Sequence, residues 1–163
     1  MKKLLICMVM ATMAVCANAQ ITWNVRAGAG IQQYILNENG SEYTEIAFVA
    51  PTLIAETNIP FSKGNSITFS PSISIAYGVE QDAFSVTLPL HLGYKIPIGQ
   101  NTLFCPKAGA MIGYLEADGG QFLFGPSIEL PFEINRIVVA ANANVSLFDY
   151  TLFGAYLTVG YKF

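Results

Sequence analysis

Charged residues and cysteines are both scarce in this sequence. Lys, Arg, Asp and Glu make up 12% of the 163 residues, about half of the roughly 25% that is typical of soluble domains. A soluble protein with so few charges would have difficulty covering its surface. Only one cysteine, Cys105, lies beyond residue 19, so no intramolecular disulfide can form there. These two shortages argue against a soluble secreted domain stabilised by disulfides.

Long apolar runs and basic patches are also missing. The chain is 53% hydrophobic, yet no segment beyond the N-terminal region has the ~18 consecutive apolar residues of a membrane-spanning helix. Because only helices and closed barrels can span a bilayer, high hydrophobicity without such a helix favours a membrane β-barrel. The absence of a basic patch argues against nucleic acid as a partner.

Residues 1–19 have the pattern of a signal peptide that is cleaved before Gln20. Two lysines precede an apolar run that ends at Cys16, and an Ala-Asn-Ala site follows. Lipidation at Cys16 is an alternative, but a bulky valine precedes that cysteine. We therefore predict an exported protein in which residues 20–163 form one domain. This domain has six basic and eleven acidic residues, a net charge of −5.

Apolar and small or polar residues alternate along eight segments of the exported chain. The clearest segment runs from Ile67 to Gly78, where one face is wholly apolar and the other carries Ser, Thr, Ala and Gly. This period of two is typical of β-strands, and the segments have the length of tilted membrane strands. They lie at about 21–32, 45–56, 67–78, 84–96, 104–114, 122–130, 137–147 and 152–163. We predict an all-β fold, an eight-stranded antiparallel up-and-down transmembrane β-barrel.

The apolar face is predicted to point outward. A soluble lipocalin-like binding barrel would instead turn its apolar face inward and its charges outward. Here the polar face has few charges and mostly small residues, which suit the narrow interior of an eight-stranded barrel. The apolar face has no charge in the strand cores, where a lysine or arginine at the bilayer midplane would cost about 2–4 kcal/mol.

The last segment resembles the closing strand of Gram-negative outer-membrane barrels, since it alternates and stops on an aromatic residue at Phe163. With the signal peptide and the eight segments, the whole chain resembles small outer-membrane β-barrels of the OmpA/OmpX-like, porin-family type. The resemblance implies periplasmic termini and an assembly signal formed by Val159, Tyr161 and Phe163. It also implies three partners, namely outer-membrane lipid, lipopolysaccharide and the outer-membrane assembly machinery.

The turns sort by charge under this topology. The outer turns, at about 33–44, 79–83, 115–121 and 148–151, contain seven acidic residues and no Lys or Arg. They are candidates for binding cations or a basic partner, although loop solvation is the simpler interpretation. Aromatic residues fall near both predicted rims, as interfacial anchoring requires. These residues are Trp23, Tyr94, Phe104, Tyr161 and Phe163 at the inner rim, and Tyr77, Phe84, Tyr114, Phe122 and Phe153 at the outer rim.

A lumen charge network is predicted near the inner rim. Six charged residues fall on the inward face, namely Arg26, Glu56, Lys95, Lys107, Glu129 and Lys162. Barrel closure should place Arg26 beside Lys162 and Lys107 beside Glu129. Since buried charges require partners, we expect salt bridges that fill the lumen and block conduction.

Five strand prolines and one strand register are less regular. Pro51, Pro71, Pro89, Pro106 and Pro126 each remove a ladder hydrogen bond, so we expect ladder gaps or bulges beside them, in the inner halves of their strands. In the second strand, Ala47, Val49, Pro51, Leu53 and Ala55 are predicted to share one face, although Phe48 and Ile54 are apolar on the other.

The function predicted from the sequence is structural or one of surface interaction, without enzymatic activity. His91 is the only histidine and is expected to face the lumen, whereas a Ser-His-acid site for lipid chemistry would need to face the membrane. No metal-ligand or dinucleotide motif is present, so no cofactor and no metal is expected. A narrow channel for small solutes and a lipid-modifying enzyme are the alternatives.

Overall fold

The chain folds into a closed ring of antiparallel strands. The computed structural model describes residues 21–38, 41–62, 65–78, 83–116, 120–147 and 151–163; the predicted signal peptide and the Asn-Gly turn at 39–40 lie outside them. The described strands are β1 (Thr22–Glu38), β2 (Ser41–Ser62), β3 (Asn65–Gly78), β4 (Ala83–Pro97), β5 (Thr102–Phe104), β6 (Lys107–Glu116), β7 (Gln121–Ile134), β8 (Ile137–Leu147) and β9 (Thr151–Lys162). No helix among the described residues is long and apolar enough to cross a membrane.

Each strand pairs with the next, and the first pairs with the last. The β1–β9 ladder runs from Asn24↔Lys162 to Ile35↔Thr151 and closes the barrel. The predicted fifth strand is divided into β5 and β6, which both lie between β4 and β7. The predicted up-and-down transmembrane β-barrel is therefore confirmed. One of its eight predicted strands, the fifth, is interrupted at Cys105–Pro106.

The apolar face of the barrel wall points outward and the polar face points into the lumen, as the alternation predicted. Large apolar side chains on the outer face are exposed, including Leu157 (65%) and Leu92 (62%), whereas Ser, Thr, Asn and charged side chains line the interior and are buried. An exterior of this kind suits hydrocarbon, because water would have to hydrate a continuous apolar belt. The barrel interior takes the place of a conventional core.

Several strands are longer than the alternation indicated. The predicted outer loop at 33–44 is wrong, since β1 and β2 stay paired out to Glu38↔Ser41. The connection between the predicted segments 122–130 and 137–147 is also shorter, because β7 runs to Ile134 and the turn consists of Asn135 and Arg136. Backbone pairing needs no apolar residues, so the ladders continue past the apolar belt that the period-two pattern detects.

A bulge breaks the predicted register of β2. Between Val49 and Thr52, β2 has one residue more than β1 has between Gly30 and Gly28, and a matching shift occurs against β3. A single alternation through residues 47–55 is therefore wrong. Beyond the bulge, Leu53 and Ala55 face outward and Ile54 is buried, as predicted.

The prolines accompany irregular pairing, as expected. Pro51 lies in the β2 bulge, and Pro106 lies in the break between β5 and β6. Ladder positions are missing beside Pro71 and Pro89. The β7–β8 ladder ends at Ser127, next to Pro126. By the strand bounds, the expected place in the inner half is correct for Pro71 and Pro106 but wrong for Pro51, Pro89 and Pro126, which lie nearer the outer ends of their strands. We call the end of the barrel with Phe163 and the turns 98–101 and 135–136 the terminal rim, and the other end the far rim.

Candidate functional site in the barrel lumen

Two glutamates form the centre of the lumen charge network. Glu129 lies opposite Lys107 in the β6–β7 ladder, and Glu56 lies opposite Asn24 in the β1–β2 ladder. The Lys107 ammonium contacts the Glu56 carboxylate at 2.5 Å and the Glu129 carboxylate at 2.9 Å. It also donates to the Ser70 hydroxyl at 2.6 Å. An ammonium has three protons, so the hydrogen-bonding capacity of Lys107 is fully used.

Arg26 joins the same two carboxylates from β1. One terminal nitrogen is 3.0 Å from Glu56, the other is paired with Glu129, and its Nε donates to Asn24 Oδ1 at 3.2 Å. The predicted position of Arg26 beside Lys162 is wrong, because the β1–β9 register sets Arg26 opposite Gly160. This register leaves the two cations on separate carboxylates rather than in repulsive contact.

Glu133, which lies between the predicted segments 122–130 and 137–147, extends the network to the terminal rim. It pairs with Lys162 and lies 2.6 Å from the Lys95 ammonium, which is 3.4 Å from Glu56. Its spacing of four from Glu129 was the available signal, since alternate residues of a strand share a face. Pro131 lies between the two glutamates, and because proline is typical of turns it argued against a strand continuing through this position.

The strand continues through Pro131 because its missing N–H coincides with an existing gap. Pro131 lies where β5 gives way to β6, and its carbonyl accepts a hydrogen bond from the Cys105 amide at 3.0 Å. The proline has no N–H to donate, and it lies where the neighbouring ladder is already interrupted. Cys105 is a buried free cysteine, with its sulfur 3.3 Å from the Thr68 hydroxyl.

The network contains four cations and three carboxylates, nearly all buried. Glu129 and Arg26 have no exposed surface, and Lys162 is the most exposed member, with 25% of its side chain accessible. Removing such charges from water costs several kcal/mol per ion. Mutual contact offsets this cost only when every charge is paired, and in this network each cation contacts at least one carboxylate.

His91 and Ser127 form a polar contact at the end of the network farther from the terminal rim. His91 Nε2 is 2.7 Å from Ser127 Oγ, and His91 Nδ1 is 3.4 Å from Glu129 Oε2. Gly109 lies between them in the ladder, opposite both His91 on β4 and Ser127 on β7. A Cβ at this position would overlap the Leu90 carbonyl oxygen, so glycine permits the close approach of β4 and β6 here.

The three residues resemble a Ser-His-acid set in composition but not in setting. His91 has no exposed surface and Ser127 is 3% exposed, whereas acyl transfer requires a carbonyl within about 3 Å of the serine oxygen. Glu129 is also committed to Arg26 and Lys107. We interpret the set as part of the lumen packing.

A largely aliphatic layer, called the aliphatic layer below, lies in the lumen toward the far rim. Its members are buried side chains of β3, β6, β7 and β9, namely Ala76, Met111, Leu115, Leu123, Leu152 and Tyr156. Sequence reasoning placed small and polar residues on this face and did not anticipate a continuous apolar layer. The layer separates the charge network from the far rim.

The residues of the predicted assembly signal lie on the outer face at the terminal rim. Val159, Tyr161 and Phe163 are all exposed, and the rings of Tyr161 and Phe163 meet edge to face at 5.4 Å. The Phe163 amide donates to the Trp23 carbonyl at 2.9 Å. In the adjoining turn, Arg136 donates to the Tyr161 hydroxyl at 3.1 Å, which raises the pKa of the arginine.

No group of three or more metal-ligating side chains occurs in the part of the chain that the structure describes. The closed ring, apolar exterior and polar filled interior define the fold of a small outer-membrane β-barrel.

Solved structures with this fold include three small barrels. Ail, the attachment invasion locus protein of Yersinia pestis, has 15% identity and a TM-score of 0.58, over 87% of this chain and 98% of that one. Neisserial surface protein A has 11% identity and a TM-score of 0.58, over 86% and 95%. The outer membrane enzyme PagL has 12% identity and a TM-score of 0.58, over 84% and 97%. No protein-family model and no curated protein matches the sequence.

Proposed function

We propose that this protein is a non-enzymatic, non-conducting barrel of the Gram-negative outer membrane, with a structural or surface-interaction role. The observation that carries the proposal is the double closure of the lumen. Near the terminal rim, seven charged side chains contact one another across the interior, and near the far rim the aliphatic layer fills it. An ion entering from either rim would have to displace one of these layers.

Conductance measurements test the closure. Purified wild-type barrel in a planar bilayer is expected to give no steady single-channel current. Leu152→Ala with Leu115→Ala should open the aliphatic layer alone and still give none, because the charge network remains. Leu157→Ala, on the outer face of the same strand as Leu152, is the control. Large and steady wild-type conductance would instead support a narrow channel.

The proposed location places both termini in the periplasm and the far rim outside the cell. Trp23 and Phe122 would then lie near opposite membrane surfaces, and lipopolysaccharide would surround the far rim. Extraction of the outer membrane with detergent, followed by electrophoresis with and without heating, is the direct test. A heat-modifiable band in that fraction supports the proposal, and recovery from the soluble periplasm supports a lipocalin-like barrel instead.

A role at the cell surface would depend on the acidic segments at the predicted outer rim. Residues 33–44, 79–83, 115–121 and 148–151 contain seven acidic and no basic residues, and this charge favours a divalent cation or a basic partner over a polyanion. One solved structure of Ail is a complex with a heparin analogue, sucrose octasulfate. The charge of the present chain argues against a similar ligand here.

Lipid-modifying activity is the second candidate, and the contact of His91 with Ser127 is the observation that favours it. Mass spectrometry of lipid A from cells with and without the gene tests this candidate. Identical lipid A in both would support the non-enzymatic proposal. The non-enzymatic proposal would be overturned if lipid A differs between the two and the difference disappears in a Ser127→Ala variant that still folds.

A further inference from the structure

The barrel wall has a double gap around the middle of β3. Pairing with β2 stops at Ile54↔Ser72 and resumes at Thr57↔Phe69, so Ser70 and Pro71 have no partner on that side. Pairing with β4 stops at Pro71↔Leu90 and resumes at Ser74↔Thr87, so the next two residues have none on the other side. Prolines at 71 and 89 explain part of the gap, because neither has an N–H to donate.

A groove of about 390 Å³ lies over this gap. Its walls are outward-facing apolar residues of four strands, and its floor reaches two buried residues of the inward face. The lining residues are Val25, Leu53, Ala55, Pro71, Ile73 and Leu88, with Ile54 and Ser72 at the floor. The volume is in the range of ~300–1,000 Å³ for small-molecule sites.

The polar atoms at the floor are already engaged. The Ser72 hydroxyl donates to the Pro89 carbonyl at 3.2 Å, and so replaces a missing ladder bond. No charged side chain lines the groove. The chemistry therefore suits a hydrocarbon chain and offers nothing to a polar headgroup.

We propose that the groove binds one acyl chain of a phospholipid from the leaflet at the terminal rim. The groove is continuous with the lipid-facing belt of the barrel, so hydrocarbon is what covers it. Val25 lies opposite Tyr161 of the terminal-rim aromatics, whereas Ile73 and Leu88 lie past the middle of their strands, so the groove runs from near the terminal rim into the middle of the wall. This proposal rests on the membrane location proposed above. A chain bound there would occupy a fixed site, unlike the exchanging lipids around it.

Native Trp23 is a suitable reporter for the site. It is the only tryptophan and lies two positions from Val25 on the same face of β1, roughly 7 Å along the strand. The probe is phosphatidylethanolamine with mid-chain bromine, titrated into the folded barrel in detergent micelles. We expect saturable quenching that unbrominated phosphatidylethanolamine reverses. In a Trp23→Phe, Leu157→Trp variant, whose tryptophan lies on the open outer face, quenching should rise linearly.

Two further variants locate the binding. Ala55→Phe should fill the groove and abolish the saturable part of the quenching, whereas Ala141→Phe, on the outer face of β8, should leave it unchanged. Linear quenching in the wild type, or saturable quenching that survives Ala55→Phe, would overturn the proposal. Preferential reversal by lipid A would overturn the choice of phospholipid. A heat-modifiability assay on each sample checks that the barrel is folded. The membrane location itself is tested separately, by fractionation, so failure of that proposal can be told apart from failure of the groove proposal.

Discussion

Loss of the Glu129 charge should destabilise the barrel more than any surface charge change. Glu129 contacts Arg26, Lys107 and His91, and it has no exposed surface. With His91 neutral, the network has four cations and three carboxylates, a net charge of +1, so Glu129→Gln raises this to +2. Removing one partner of a buried ion pair costs about 3–5 kcal/mol. Glutamine keeps the side-chain volume and one acceptor oxygen, so we expect a loss near 3 kcal/mol.

Urea unfolding in micelles, followed by Trp23 fluorescence, measures this free energy. The control is Glu116→Gln, at an exposed position near the far rim, where surface changes are usually within about 0.5 kcal/mol. Lys107→Met should also be costly by itself, but combined with Glu129→Gln it should cost less than the sum of the two, by about 0.5–3 kcal/mol. A Glu129→Gln barrel as stable as the Glu116→Gln control would refute the assignment of Glu129 as the centre of the network.

Three further predictions concern the wall and a turn. Leu157→Arg, at mid-strand on the outer face, should cost about 2–4 kcal/mol in a bilayer, and Phe122→Arg near the far rim about 0–1 kcal/mol; equal costs in vesicle unfolding would contradict a lipid-facing exterior. Gly109→Ala should reduce the fraction of heat-modifiable protein, because a Cβ there would overlap the Leu90 carbonyl oxygen, whereas Ala108→Gly should reduce it less. Asn135 has a left-handed φ of 57°, so Asn135→Ala should lower the free energy of unfolding by about 1–2 kcal/mol, and Asn135→Gly should not; a neutral Asn135→Ala would contradict the observed turn.

The alternation of side chains predicted the barrel well because it is a direct consequence of strand geometry. Residues 67–78 show this best, since every second residue is exposed to the outside and the others are buried. Alternation fails wherever one residue is inserted, as in the β2 bulge at Pro51. It also gives no signal for the ladder between Gln33 and Glu38, where pairing continues although the consecutive residues Tyr34, Ile35 and Leu36 interrupt the alternation.

The lumen was harder to predict because its contacts join distant strands. The Lys107–Glu129 pair followed from the order of the strands, since neighbours in sequence are neighbours in the ring. Contacts across the interior, such as Arg26 with Glu129, depend on barrel diameter and stagger, which no local pattern encodes. Glu133 was missed because Pro131 imitates a turn, and its compatibility with the wall depends on the break in a neighbouring strand.

The arrangement of the charge network has a consequence for how the protein enters a membrane. Three contacts of the network join strands that are not neighbours in the ring, namely Arg26 with Glu129, Lys107 with Glu56, and Lys95 with Glu133. Single hairpins can form only the Arg26–Glu56 and Lys107–Glu129 pairs, and they leave Lys95, Glu133 and Lys162 without a partner. A partly formed sheet that reached hydrocarbon would present unpaired ions at a cost of several kcal/mol each. Curling of the sheet into a ring must therefore accompany its insertion. In this respect the interior charges act during biogenesis, and they penalise every intermediate in which the two edges of the sheet have not yet met.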